Sequence, residues 1–233
     1  MKLLSVIPAR GGSKSVEKKN IQLINGFPLI YYTIKEARKV KYITDLIVST
    51  DDKNIAEISQ KYGVNVPFIR PEKLAKDDTL SIDVLKHALK EMERIKKIKY
   101  DAILMLQPTS PFRKSSHIND SINLFLKSDC DSVVSIVLVN GHHPFRMKRM
   151  IGKKIINYID QGFEDMRPRQ DLPKAYIRNG AIYLSKSNVI RHTNYIVGEN
   201  CNGLVMETES SLNIDNKLDL EFAKFLMEKN EKN

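Results

Sequence analysis

The apolar positions of this chain fall into blocks whose lengths and spacing alternate. LLSVIP (3–8) is a continuous apolar run of strand length ending at a proline, the pattern of a strand buried on both faces of a parallel sheet. PLIYYTIKEARKV (28–40) starts with proline at a helix-start position and carries apolar residues at helical spacing; DLIVST (45–50) then reads as a second strand. KNIAEISQKYG (53–63) predicts a helix closed by glycine, and VNVPFI (64–69) a short third strand. Ile82, Leu85, Leu89 and Met92 recur at three- and four-residue steps, one face of a further helix, before the buried strand YDAILML (100–106). Strands and helices alternating at this pace predict an α/β fold, a three-layer α/β/α sandwich with a mostly parallel, Rossmann-like sheet, through about residue 135.

From SIVLVNGHHPFRMKRM (135–150) to RNGAIYLS (178–185) the alternation gives way to short strand-like pieces, basic residues and turn signals. This reads as a small β-rich lobe, roughly 138–175, inserted in a single domain spanning 1–233. The chain returns to the sheet with AIYLS and GLVMET and closes on the helix NKLDLEFAKFLMEK (216–229).

With 233 residues, 42% of them hydrophobic, the chain is long enough to bury a substantial core. Its net charge of +10 raises nucleic acid as a partner, since clustered Lys and Arg bind phosphate. The distribution argues otherwise: in KEMERIKKIK (90–99) lysines mix with acids, as on a solvated helix face, and no aromatics interleave for base stacking. A small polyanion fits better. A non-enzymatic RNA- or acid-binding protein is the rival from another class, and it predicts polyanion affinity with a steep salt slope and no turnover. MKLLSVIPAR meets proline and arginine too early for a signal peptide, and no run approaches the ~20 residues that span a bilayer, so a cytoplasmic protein without membrane partners is expected. Cys130 and Cys201 stand far apart with no partner motif, which fits reduced thiols.

The segment IPARGGSKSVEKKN (7–20) follows the first strand with two glycines and crowds Arg10, Lys14, Lys18 and Lys19 around them. Strand, glycine turn and cations together present N–H groups and charge to phosphate at the carboxyl edge of a sheet. Neither G-x-x-x-x-G-K-[ST] nor G-x-G-x-x-G occurs, which excludes the standard NTPase and dinucleotide readings. Taken alone, the loop is equally a solvated turn.

In order along the chain stand IPARGGSK…KN, NGFPLIYYTI, VSTDD, RP…LAKDDT.S.DV, LQPTSPFR, RQDLP…NGAIYL and SLNIDNKLDL. This series resembles the acylneuraminate cytidylyltransferases, the CMP-sialic acid synthetase family, over nearly the whole length. The resemblance implies a fold of the nucleotide-diphospho-sugar transferase type and an enzyme that joins CTP to a nine-carbon sugar acid with Mg²⁺, releasing diphosphate. It implies that Arg10, Gly12, Ser13, Lys14, Lys19 and Asn20 line the CTP phosphates and ribose, with Lys19 and Arg10 catalytic. Lys19 would stabilise charge at the α-phosphate. Ser15 stands where the family usually has glycine. Arg70, Thr79 and Ser81 would reach cytosine and ribose; on spacing alone, Asp78 or Thr79 equally caps the following helix. Gln107, Arg169, Asn179 and Tyr183 would contact the sugar, with Arg169 selected for its carboxylate. Tyr183 reads equally as core. Arg113 reads as a surface residue at a helix start.

Asp215 and Asn213 are the implied metal ligands, two apart so that both face one side of an extended segment, and Asp215 is also counted as catalytic. The alternative is that Asn213 caps a turn and Asp215 the last helix. The proton acceptor stays open between a carboxylate near Asp215 and water on the metal. His142 and His143, adjacent on a strand-like piece, point to opposite faces and do not suggest zinc. Asp51 or Asp52 reads as a helix cap. The lobe resembles the family's dimerisation segment, so a homodimer is implied in which Arg169 serves either its own pocket or its neighbour's. The same chemistry on legionaminic acid, pseudaminic acid or the eight-carbon KDO is the nearer alternative.

Overall fold

The computed structural model describes residues 1–231. β1 (Leu3–Pro8) leads through a basic loop to a small hairpin, β2 (Leu23–Ile24) and β3 (Phe27–Pro28), and then α1 (Leu29–Ala37). β4 (Asp45–Ser49), α2 (Lys53–Lys61), α3 (Ser81–Lys96), β5 (Ala102–Leu106), α4 (Ser115–Lys127) and β6 (Ser132–Leu138) complete the alternating part. There follow the hairpin β7 (Lys148–Ile151) and β8 (Lys154–Asn157), then β9 (Tyr176–Lys186), α5 (Ser187–His192), β10 (Cys201–Val205) and α6 (Lys217–Glu231).

The central sheet has the order β10-β6-β9-β5-β1-β4. β9 alone runs against its neighbours, pairing antiparallel with β5 and β6, while the other pairs are parallel. β1 shows why this part of the chain was legible. Leu3 and Ile7 pack with Ile30 and Ile34 of α1 on one face, and Leu4 and Val6 with Ile82 and Leu85 of α3 on the other. A strand covered on both sides is apolar throughout. α6 lies apart, burying Leu220, Ala223 and Met227 against Ile24 and Leu29.

One expectation needs correction, and two features add to the reading. VNVPFI is not a strand: it touches the sheet through two isolated bridges, Ile47 with Asn65 and Thr50 with Ile69. Pro67 between them has no N–H to continue a ladder. α4 is an additional helix, whose Ile118, Ser121, Ile122 and Phe125 are buried. The inserted lobe holds only one hairpin, a two-stranded sheet separate from the main one, and residues 158–168 contain neither helix nor strand.

Candidate active site

The carboxyl ends of β1 and β5 open on one cleft of about 460 Å³, where ligands of such sheets sit. Its construction starts at β1. Ala9 N–H still bonds Ser49 O (2.9 Å), after which the chain turns away from β4, and Gly11 N–H donates to Asp51 Oδ1 (3.1 Å). A Cβ at Gly11 would stand 2.7 Å from Asp52 Oδ2, so this approach requires glycine. The two aspartates divide the work: Asp52 Oδ1 accepts from Ile55 N–H and caps α2, while Asp51 Oδ1 also meets Arg70 Nη2 at 3.3 Å. Arg70 is 4% exposed, and burial lowers its pKa, with Asp51 drawing it back up. Asp51 therefore ties the basic loop to the arginine across the cleft, a role that sequence did not reveal.

Lys18, in the left-handed conformation at φ 48°, turns the chain into a single 3-10 turn over Lys19–Ile21. Asn20 Nδ2 bonds Arg10 O (3.0 Å), and Lys19 Nζ donates to Ile214 O (2.8 Å) with Asp215 Oδ1 at 3.9 Å. Burial lowers the Lys19 pKa, Asp215 opposes the shift and Arg10 adds to it. A half-buried ammonium is thus aimed into the cleft beside a carboxylate.

Arg10 Nη1 and Lys14 Nζ both pair with Asp77, at 2.7 and 2.6 Å, and these bonds, Lys14's first, hold the Asp77 carboxyl below its ordinary pKa. This carboxylate pairs with cations that a polyphosphate would need. Asp77→Asn is therefore expected to lower the KM for the nucleotide about three- to tenfold at low salt, by removing the competing anion. Initial rates across a nucleotide titration check this, and a raised KM would show that Asp77 instead orders the loop for binding.

Ser13, Thr79, Ser81, Gln107 and Asp215 line the same cleft. Gly12 stands in the open, with nothing within 4 Å of an added Cβ. The helix-cap alternative for Asp78 and Thr79 is not realised: the N-cap of α3 is Leu80, and no side chain caps it. Nor does Asp215 cap α6. Asn216 Oδ1 accepts from Asp219 N–H (3.0 Å) while Asp219 Oδ2 accepts from Asn216 N–H (2.9 Å), a reciprocal cap that leaves Asp215's side chain 73% exposed.

Gln107 is held from behind. Gly180, at φ +79°, lies so close that a Cβ there would be 2.7 Å from Gln107 Oε1. Arg113, expected on the surface, is instead 1% exposed: Nη1 donates to Gln107 O (3.1 Å) and Ala181 O (2.7 Å), and Nη2 to Thr33 Oγ1 (2.5 Å). Burial pushes its pKa down to about 9, against the pull of Glu36. The guanidinium is held where the carbonyls of Gln107, just past β5, and Ala181 in β9 converge with the hydroxyl of Thr33 in α1.

The remaining sugar-side residues do not all join the cleft. Tyr183 lines an adjoining pocket. Asn179 is buried, its Oδ1 accepting from Ser135 Oγ (2.6 Å) and its Nδ2 donating to Ser211 Oγ (2.9 Å). Arg169 sits on the inserted lobe, with Nη2 on Asn140 Oδ1 (2.5 Å). Asn213 lies behind Asp215, its Nδ2 donating to Asp215 Oδ2 (2.8 Å), and its buried Oδ1 has no partner among the described residues. An exposed carboxylate and an orphaned amide oxygen suit a hard divalent cation completed by phosphate and water.

A model of the cytidylyltransferase family matches residues 4–230. The chain belongs to that family. It is 33% identical over 236 residues to the CMP-N,N'-diacetyllegionaminic acid synthase of Legionella pneumophila, covering 99% of this chain and 98% of that protein. It is 32% identical over 234 residues to the N-acylneuraminate cytidylyltransferase of Escherichia coli O18:K1:H7. There the match takes in 98% of this chain but only 52% of the relative, so the enzyme spans about half that protein's length. A solved CMP:2-keto-3-deoxy-manno-octonic acid synthetase complexed with CTP shares the fold, with a TM-score of 0.73 at 17% identity, covering 99% of this chain and 100% of that one. No helix among the described residues is long and apolar enough to cross a membrane.

Proposed function

We propose that the enzyme activates a sialic-type, nine-carbon sugar acid, converting CTP and N-acylneuraminate to CMP-N-acylneuraminate and diphosphate. The observation that carries this reading is the sorting of charge in one cleft: Arg10, Lys14, Lys19 and Arg70 converge on it, while Gln107 joins it to a second, mostly uncharged pocket. A triphosphate brings about four negative charges, which must be balanced before an anionic sugar approaches. Arg10, Ser13, Lys14 and Asn20 take the phosphates and ribose; Arg70, Thr79 and Ser81 take the cytidine end. The anomeric 2-hydroxyl oxygen forms a bond to the α-phosphorus and gives its proton to a carboxylate near Asp215 or to water, the bond from that phosphorus to the bridging oxygen breaks, and diphosphate leaves. Lys19 stabilises the charge that develops there. Asp215, backed by Asn213, would hold Mg²⁺, which would supply charge neutralisation at the phosphates.

A diphosphate-release assay with CTP, UTP and ATP across N-acylneuraminate, legionaminic acid, pseudaminic acid and KDO tests the reading. CTP is expected to exceed the other nucleotides at least tenfold, about 1.4 kcal/mol in transition-state binding, with one nine-carbon acid preferred. Comparable turnover with all three nucleotides, or none with any sugar acid, overturns it.

The same reading takes the enzyme to be a homodimer formed through the inserted lobe. Met150, Ile155, Tyr158 and Met166 are exposed there, an apolar surface that a second copy would cover. Arg169, remote from its own cleft, would then serve the neighbour's pocket. Mixing inactive Lys19→Ala with inactive Arg169→Ala protein should restore part of the activity, since a mixed dimer assembles one intact site. Demonstrated subunit exchange with no recovery places the whole site in one chain.

A further inference from the structure

The pocket beyond Gln107 measures about 310 Å³, and it shares Ser81 and Gln107 with the nucleotide cleft. Tyr183 and Tyr195 stand in its wall with Ile196 and Val197, and a single cation, Arg178, lines it. We infer that Arg178 of the same chain receives the carboxylate of the sugar acid and sets the enzyme's preference for an acid at that position. The inference rests on the function proposed above and adds to it a residue that the motif resemblance does not select.

An irregularity in the sheet brings Arg178 into this pocket. Val134 and Ile136, two apart on β6, face one side of the sheet, and their partners on β9 are Tyr183 and Arg178, with the register shift between them. Residues five apart on an unbroken strand face opposite sides. Here β9 takes three more residues than β6 across the same interval, an odd number, so Arg178 is turned onto the face that Tyr183 occupies. The charge of Arg178 reaches Tyr183, drawing down a phenol pKa that burial raises. The interval itself is fixed by Asn179, which is bonded to Ser135, and by Gly180 in the left-handed region.

The other cations near the reacting atoms have partners: Arg10 and Lys14 on Asp77, Arg70 on Asp51, Lys19 on Ile214 O. The Arg178 side chain forms no hydrogen bond or ion pair among the described residues, and it is exposed in the pocket. A sugar acid that attacks through its 2-hydroxyl carries the carboxylate on the same carbon. That group must therefore lie next to the phosphorus end of the pocket, where Gln107 marks the junction. A planar guanidinium gripping both carboxylate oxygens is the partner such a group calls for. The phenols and aliphatic side chains farther in then meet the sugar ring and its acyl groups.

The test compares wild type, Arg178→Ala and Arg178→Lys with the preferred sugar acid and with its C1 carboxamide, which keeps the attacking hydroxyl and removes the charge. Arg178→Ala is expected to raise the KM for the acid at least tenfold and leave the KM for CTP within twofold. The ratio of kcat/KM for acid over amide should fall toward one, and Arg178→Lys should recover part of it. Because Arg178 has no internal partner, all three proteins should melt together, and a structural role would not collapse the acid-to-amide ratio. Wild-type turnover with an unchanged ratio in Arg178→Ala, or the same collapse produced by Arg169→Ala instead, overturns the inference alone. A wild-type enzyme that accepts no sugar acid overturns the proposed function and this inference with it.

Discussion

Asp215→Ala should cut turnover at least a hundredfold, about 2.7 kcal/mol in the barrier, while the melting temperature stays nearly unchanged. The two halves of this expectation come from separate observations. Stability is spared because the cap of α6 is the reciprocal pair Asn216 and Asp219, and the 73% exposed Asp215 side chain gives up only a solvent-facing bond from Asn213 Nδ2 and the 3.9 Å pair with Lys19. Its carbonyl accepts from Ser15 Oγ (2.5 Å), a contact alanine retains. Activity suffers because the side chain sits in the cleft, 3.9 Å from Lys19 Nζ, where its charge opposes the lowering of the Lys19 pKa by burial. In the proposed function it would also hold Mg²⁺. Asn213→Asp adds a second carboxylate and should lower the Mg²⁺ concentration for half-maximal rate. An Asp215→Ala enzyme that melts several degrees early but turns over normally at saturating Mg²⁺ would make this segment structural.

How far the sequence could be read depended on whether a residue's environment is set locally. LLSVIP and YDAILML were recognisable because strands covered on both faces read as near-continuous apolar runs, with the small Ser5 the one polar side chain inside β1. The basic loop was recognisable because its position after β1 fixes which edge of the sheet it occupies. VNVPFI misled because composition favours a strand while Pro67 stops the ladder, and α4 escaped because its Ser, Asn and Asp content dilutes the periodic signal. In the site, Arg10, Lys14 and Lys19 were visible as cations, but their partners Asp77 and Ile214 lie 67, 63 and 195 positions away in sequence. Asp51's bond to Gly11 and Arg178's orientation depend on strand register, which no window of residues contains.

Arg113 is the sharpest case, because a charged residue near a helix start is ordinarily solvated and here it is fully buried. Arg113→Ala should destabilise the protein by roughly 3–5 kcal/mol, the range for removing one member of a buried charged network. At about 2–4 °C per kcal/mol for a chain of this size, that is a fall in Tm on the order of 10 °C. The loss has three parts: the carbonyls of Gln107 and Ala181 and the hydroxyl of Thr33 lose a donor, the side chain leaves a cavity, and β5, β9 and α1 lose their shared tie. Arg113→Lys should recover little, since one ammonium on a flexible stem does not reproduce a fork that spans three acceptors. Activity should decline as well at temperatures where the variant stays folded, because Gln107 enters the cleft from the very residue whose carbonyl Arg113 holds. Thermal denaturation of both variants, with rates measured well below their midpoints, checks the two effects separately. A Tm within two degrees of wild type for Arg113→Ala would show that water or a neighbouring donor replaces the guanidinium, and that it is not what joins the three elements beneath the cleft.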